Sequence, residues 1–275
     1  MLKNKIAETD ENWVAILNDP HIAASQLPDA PIPSNLRSTV AWLCAQPKAP
    51  AAVVVNGDLA MFDGQPGDYE YFARLIKPLR DAGKAVYLMM GNHDDRSVFY
   101  NVLEEEKSSV PTVTFRQIRI VQLPHANLFL LDSLKQQIVA PGELGEEQRH
   151  WLSQALDEHA DKPALLFVHH NPRFGGEPEH FPGGLEDSEE LWKIIAPRKQ
   201  VKAYIHGHIH HCNFFEYEGM HLLNLPSVGY VADEKISTTG WTMLRLKEEG
   251  AEITIHTHRA DHEWNGTRKY LRWRK

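Results

Sequence analysis

Five places along the chain gather carboxylate, imidazole and amide side chains: Asn18-Asp19-Pro20-His21, Asn56-Gly57-Asp58, Gly91-Asn92-His93-Asp94, His169-His170-Asn171-Pro172 and His206-Gly207-His208-Ile209-His210. Lysine and arginine are missing from all five. Donors of this kind hold divalent metals of intermediate hardness, such as Mn, Fe, Co and Zn. No cysteine stands in any group, which argues against a structural zinc site. The glycines allow sharp backbone turns beside the donors.

A charge count sharpens the chemistry. Two divalent ions bring about +4, Asp19 and Asp58 return about −2, histidine and asparagine ligands are neutral, and a bound hydroxide leaves roughly +1. That balance suits a phosphate ester, whose transfer depends on positioning and charge neutralisation. Taken singly, the groups say less. Asp19-Pro20-His21 alone reads as a turn after a strand, as does Gly57-Asp58. His169 and His170 compete for the same ligand position.

The elements that position these groups are legible. Five apolar runs lead into them: Trp13 to Leu17, Ala51 to Val55, Ala85 to Met90, Ala164 to Val168 and Ala203 to Ile205. Short apolar runs bounded by Gly, Pro and Asn read as strands buried on both faces. Helical spacing appears over Ser34 to Cys44, with Ser34 as N-cap, and over Tyr69 to Ala82, where Pro78 must end or kink the helix. It recurs over Glu146 to His159 and Ser188 to Ile195.

Alternating strands and helices predict an α/β fold with right-handed crossovers. Functional residues in such sheets gather beyond the carboxyl ends of the strands, so all five groups converge on one edge. Further strands are expected at Thr112 to Phe115, Ile118 to Leu123, Leu128 to Asp132, Asn213 to Tyr217, His221 to Leu225, Trp241 to Leu246 and Glu252 to His258. Short turns at Glu218-Gly219 and Glu248-Glu249-Gly250 imply antiparallel pairing. The count fits a four-layer αββα sandwich, two mixed β-sheets flanked by helices.

In the last group, an extended backbone would put positions 208 and 210 on one face and 211 on the other, with a break at Gly207 removing 206 from that register. The other histidines read as surface or satisfied core residues.

The chain has 275 residues, 42% of them hydrophobic, and no internal repeat or linker. A single domain over 1–275 is expected, with a Gly-, Pro- and acid-rich loop at 173–187 covering the site. The net charge of −8 disfavours nucleic acid as a partner. The basic segment Arg268 to Lys275 reads as a solvated or lightly docked terminus. Two cysteines, Cys44 and Cys212, far apart, point to a reducing compartment. With neither a signal-type start nor a membrane-length apolar run, a soluble cytoplasmic protein is expected. Oligomerisation is left open.

In order and content, Asp19-Pro20-His21, Gly57-Asp58, Gly91-Asn92-His93-Asp94, His169 and Gly207-His208-Ile209-His210 resemble the five signature blocks of the calcineurin-like metallophosphoesterases. The resemblance implies that Asp19, His21 and His210 hold one metal, Asn92, His169 and His208 a second, and that Asp58 bridges them. It implies that His93 contacts phosphate and protonates the leaving oxygen, with Asp94 either orienting His93 or shaping the turn. Placing the ligand immediately after the strand favours His169, leaving His170 a supporting role behind the ligands. The implied cofactors are two divalent or mixed-valence ions of Mn, Fe, Zn or Co.

Gly142 to Gln148, Trp151-Leu152 and Leu165 to Pro172 further resemble the class III cyclic-nucleotide phosphodiesterase and glycerophosphodiesterase branch. This implies a small-molecule phosphodiester substrate. The chain departs from the branch at Asn171, where a proline is usual, and at Met61, where an acidic residue is common. Asp63 is a substitute partner for His93, and Glu177, Glu179, Glu186 and Asp187 would repel a highly charged substrate if they face inward. Leu59 to Gly64 lacks the Asp-Arg-Gly of protein Ser/Thr phosphatases, and Asp94 stands where those enzymes have Glu. The alternatives are a phosphomonoesterase of the same fold and a non-catalytic scaffold.

Overall fold

The computed structural model describes residues 8–107, 113–173 and 183–275. Among the described residues, two six-stranded sheets pack face to face. The first contains β1 (Glu8–Asn18), β2 (Lys48–Asn56), β3 (Val86–Leu88), β10 (Gly240–Lys247), β11 (Gly250–Thr257) and β12 (Arg268–Arg272), in the order β12-β11-β10-β1-β2-β3. The second contains β4 (Arg119–Gln122), β5 (Asn127–Leu131), β6 (Ala164–Val168), β7 (Val201–His206), β8 (Asn213–Tyr217) and β9 (Met220–Asn224), in the order β4-β5-β6-β7-β9-β8.

Side-chain alternation builds the layers. Val14 and Ile16 of β1 enter the core between the sheets with Leu165 and Phe167 of β6. Ala15 and Leu17 face the other way, onto Leu36, Val40 and Leu43 of α1 (Pro31–Ala45) and Phe72 and Ile76 of α2 (Pro66–Asp81). Leu166 and Val168 face α4 (Glu146–Glu158) and α5 (Ser188–Ile195), meeting Leu152, Leu156, Leu191 and Trp192. Each fully buried Leu, Ile or Phe contributes roughly 1.5–3 kcal/mol. The result is the four-layer αββα sandwich, with parallel pairing of β1 with β2, β2 with β3, and β5, β6 and β7 in succession.

Several elements differ from expectation. Helix α1 starts at Pro31 with Ala30 as its N-cap, so Ser34 lies inside the first turn. Prolines are tolerated there because the first N–H groups have no intrahelical partner. Helix α2 passes through Pro78 to Asp81, its apolar face of Leu75, Ile76 and Leu79 buried. Residues 113–115 form a bend and turn rather than a strand, and Thr112 lies outside the described residues. A short helix, α3 (Arg96–Val102), was not anticipated; Asp95 caps it by accepting from Val98 N–H at 2.9 Å. The basic terminus forms β12, paired with β11, and buries Leu271 and Trp273. Its Arg274 donates to the carbonyls of Val201, Glu218, Ile195 and Arg198. Among the described residues, no helix is long and apolar enough to cross a membrane.

Candidate metal centre

The carboxyl ends of β1, β2, β6 and β7 open toward one another. Asn18 is paired with Asn56 at the end of β1 and β2, and Leu166 and Phe167 with Tyr204 and Ile205 in β6 and β7. Beyond these ends, one potential ligand atom from each of Asp19, His21, Asp58 and His210 lies within 4.8 Å of the others. A second set, His169, His170 and His208, meets the same test. His169 Nε2 lies 3.3 Å from Asp58 Oδ2, so Asp58 touches both sets. Asn92 is buried between Gly91 and His93, the two residues that press on Asp58.

Unusual backbone brings these donors together. Asp19, His21, Asp58, His208 and His210 have φ of 50°, 49°, 49°, 68° and 49°. They are five of the eight non-glycine residues in the left-handed region among those described. Each such residue costs of order 1–3 kcal/mol and persists only where its surroundings fix it. Residues 208–210 are therefore not the extended segment that strand alternation predicts: His208 joins one donor set and His210 the other. His211 turns away, its Nδ1 2.6 Å from Ser237 Oγ. The loops are laced by His21 N–H to the Asp58 carbonyl and Ile22 N–H to the Leu59 carbonyl, both 2.9 Å. Asp19 Oδ1 accepts from His208 N–H at 3.0 Å, and Asp58 Oδ1 from His93 N–H at 2.9 Å.

Two glycines are required for close approach rather than for a turn. A Cβ at Gly91 would stand 2.1 Å from Asp58 Oδ1, and one at Gly207 would stand 2.4 Å from Asp19 Oδ2.

The donors fit cations. Asp19 Oδ2, Asn92 Oδ1 and His170 Nε2 are buried with no hydrogen-bond partner among the described residues, a cost proteins rarely accept without a ligand. His21 Nε2 and His210 Nε2 face each other at 3.0 Å. Burial holds the His21 imidazole well below its ordinary pKa and brings that of His210 down to about 4, so both rings are neutral donors. Burial pushes the Asp19 carboxyl up to about 7. At His169, burial is the largest influence and opposes charge, but the Asp58 and Asp19 carboxylates and the bond to the Asn56 carbonyl together outweigh it and raise the imidazole to about 9. Asp58 is likewise opposed by burial and, through His169, held well below the usual carboxylate range.

Supporting residues complete the site, and several left no mark in the sequence. His93 Nδ1 lies 2.8 Å from the Phe62 carbonyl, so its orienting partner is backbone rather than Asp63 or Asp94. Asp94 shapes the turns: it accepts from the N–H groups of Leu59, Ala60 and Gly91 at 3.2, 3.1 and 2.9 Å and from Tyr69 Oη. His170 stands closer to the donors than a purely supporting residue, with Nδ1 2.7 Å from Ser133 Oγ. Tyr230, from an irregular segment, packs its ring at 4.9 Å from His21 and 4.4 Å from His210.

Of the segment 173–187, expected to cover the site, residues 174–182, with Glu177 and Glu179, lie outside the described residues. Glu186 pairs with Lys135, and Asp187 accepts from Leu144 and Gly145 N–H at the start of α4 and pairs with Arg149. Neither carboxylate is turned to the donors.

Comparison with known proteins follows the same lines. Residues 13–212 match the model of the calcineurin-like phosphoesterase family. The chain is 30% identical over 216 residues to a 3′,5′-cyclic adenosine monophosphate phosphodiesterase, CpdA, of Escherichia coli, covering 75% of this chain and 74% of that protein. It is 28% identical over 181 residues to the glycerophosphodiester phosphodiesterase GpdQ of Enterobacter lignolyticus, covering 65% and 62%. Among solved structures, a dimetal phosphatase from Danio rerio superposes with a TM-score of 0.73 at 14% identity, over 95% of this chain and 99% of that one.

Proposed function

Because the chain belongs to the calcineurin-like phosphoesterase family, hydrolases that act on phosphoester bonds, we propose that it cleaves small-molecule phosphodiesters of the cyclic-nucleotide or glycerophosphodiester type. It is a metal-dependent phosphoesterase. The finer reading is supported by the diesterases it resembles over most of their length. The observation that carries the site is the pair of buried donor sets meeting at Asp58, with His93 beside them.

In this reading Asp19, His21 and His210 hold one ion, Asn92, His169 and His208 the other, and Asp58 bridges them. His170 stands within reach of the second. Mn, Fe, Zn and Co all suit these donors. When bound, the ion pair supplies Lewis acidity and lowers the pKa of a coordinated water.

The chain's own residues do the rest. A carbonyl oxygen only accepts hydrogen bonds, so Phe62 fixes the hydrogen of His93 on Nδ1. That leaves Nε2 as the atom directed at the ester, and in the imidazolium form it delivers a proton to the departing oxygen. His93 N–H, donating to Asp58 Oδ1, ties the acid to the bridging carboxylate. The donor loops are tied to one another by His21 N–H to the Asp58 carbonyl and Ile22 N–H to the Leu59 carbonyl, so the fold itself positions the ligands.

The test is metal quantification followed by rates with bis(p-nitrophenyl) phosphate, p-nitrophenyl phosphate and cyclic AMP. Preference for a diester is expected. Preference for the monoester would replace this reading with a phosphatase, and inactivity of metal-loaded protein toward all three would leave a scaffold.

A further inference from the structure

Beside His93 stands a residue that turn geometry does not call for. Residues 136–139 form a tight turn closed by Val139 N–H donating to the Gln136 carbonyl at 3.2 Å. Its third residue, Ile138, has a φ of 62°. A left-handed third position belongs to glycine or asparagine, and a β-branched side chain there is an outlier costing about 1–3 kcal/mol. Burial does not offset that strain, because Ile138 is 61% exposed.

The surroundings lock the turn against the site. Ile138 N–H donates to the Asn92 carbonyl at 2.7 Å, and the Gln137 side-chain amide donates to the Asp63 carbonyl. Ile138 is thereby docked on the residue before His93, next to the loop whose Phe62 carbonyl holds His93 Nδ1. The Phe62 side chain is itself 60% exposed. Two large apolar side chains, one on strained backbone, are therefore exposed to water on residues whose main chain bonds Asn92 and His93.

We propose that Phe62 and Ile138 form an apolar rim that binds the departing group of the ester and favours one that carries a flat ring over a small polar alcohol. This rests on reading His93 as the acid that serves the departing oxygen. Glycine at 138 would relax the turn and leave that group uncontacted. Isoleucine keeps the contact at a cost in stability, and Phe62 adds an aromatic face suited to stacking on a ring.

The test uses Phe62→Ala and Ile138→Asn, the second chosen because asparagine accepts the left-handed turn. Each full-length, metal-loaded variant is assayed with bis(p-nitrophenyl) phosphate and with glycerophosphoethanolamine. The ratio of kcat/KM for the aryl ester to that for the glyceryl ester should fall about tenfold, equivalent to about 1.4 kcal/mol, chiefly through KM. Ile138→Asn should also raise the Tm. An unchanged ratio in folded, metal-loaded variants overturns the rim, as does a lower Tm for Ile138→Asn. A wild type that takes only monoesters would overturn the diester reading alone. The rim is then judged by the same ratio for p-nitrophenyl phosphate and glycerol 3-phosphate.

Discussion

His93 Nδ1 and the carbonyl oxygen of Phe62 lie 2.8 Å apart, so this imidazole is oriented by main chain. The partner cannot be removed by substitution at position 62, which separates the contribution of the Phe62 ring from that of the imidazole.

Replacing the imidazole itself, His93→Ala should lower turnover of alkyl esters by roughly 10²–10⁴. The loss should be smaller with p-nitrophenyl esters, whose leaving group needs little protonation. Metal content should match the wild type, because His93 joins neither donor set. Loss of metal in this variant would contradict the assignment.

Asp58→Asn should weaken both ions, since the carboxylate touches both donor sets. Elemental analysis after dialysis should find less than one equivalent of each. Chelation of the wild type should lower its Tm, because bound ligands stabilise only the folded state. A variant that keeps two ions and full activity would remove the bridge.

His258 offers a pH dependence remote from the donors. Burial, only partly offset by its bonds to Asn35 and Thr239, brings its imidazole down to about 4, and its ring lies 3.0 Å from Thr39 Oγ1 and 2.9 Å from Thr239 Oγ1. Its ordinary value is 6.5. Between these values the unfolded chain binds the extra proton, so this contribution to stability is complete above pH 6.5 and lost progressively toward pH 4. The Tm of His258→Gln should fall less steeply over that interval than that of the wild type. Equal slopes would assign the dependence to other groups.

Asp132 is fully buried and accepts from Arg96 Nε and Nη2, both at 2.7 Å, and from the N–H groups of Gln117 and Leu134. Asp132→Ala strands the guanidinium and should cost roughly 3–5 kcal/mol, read by denaturant unfolding. A loss below about 1 kcal/mol would show the pair to be dispensable.

What could be read in advance depended on burial. β1, β2, β6 and β7 announce themselves because the parts that lead into the site are covered on both faces, so Trp13 to Leu17, Ala51 to Val55, Ala164 to Val168 and Ala203 to Ile205 are unbroken apolar runs. β12 hid because it is an edge strand with only Leu271 buried within it. α3 hid because Phe99 is its only buried residue. Of the two outcomes expected at Pro78, an end or a kink, the helix does not end there, since the buried stripe of α2 outweighs one missing hydrogen bond. At the centre, side-chain motifs marked the residues that come together, but not the atoms behind them. The Phe62 carbonyl is an atom every residue possesses, and Tyr230 arrives from a segment with no periodicity. The left-handed donors were invisible for a related reason: their conformation is imposed by neighbours distant in sequence.

The pairing of β1 with β10 has a bearing on how the chain is made. Trp13 lies opposite Arg245, although about 230 residues separate them. At translation speeds of about 5–20 residues per second, β1 waits roughly 10–50 s for that neighbour to leave the ribosome. Throughout that interval an apolar strand has an open edge, which leaves the nascent chain exposed to edge-to-edge association until Gly240–Lys247 arrives.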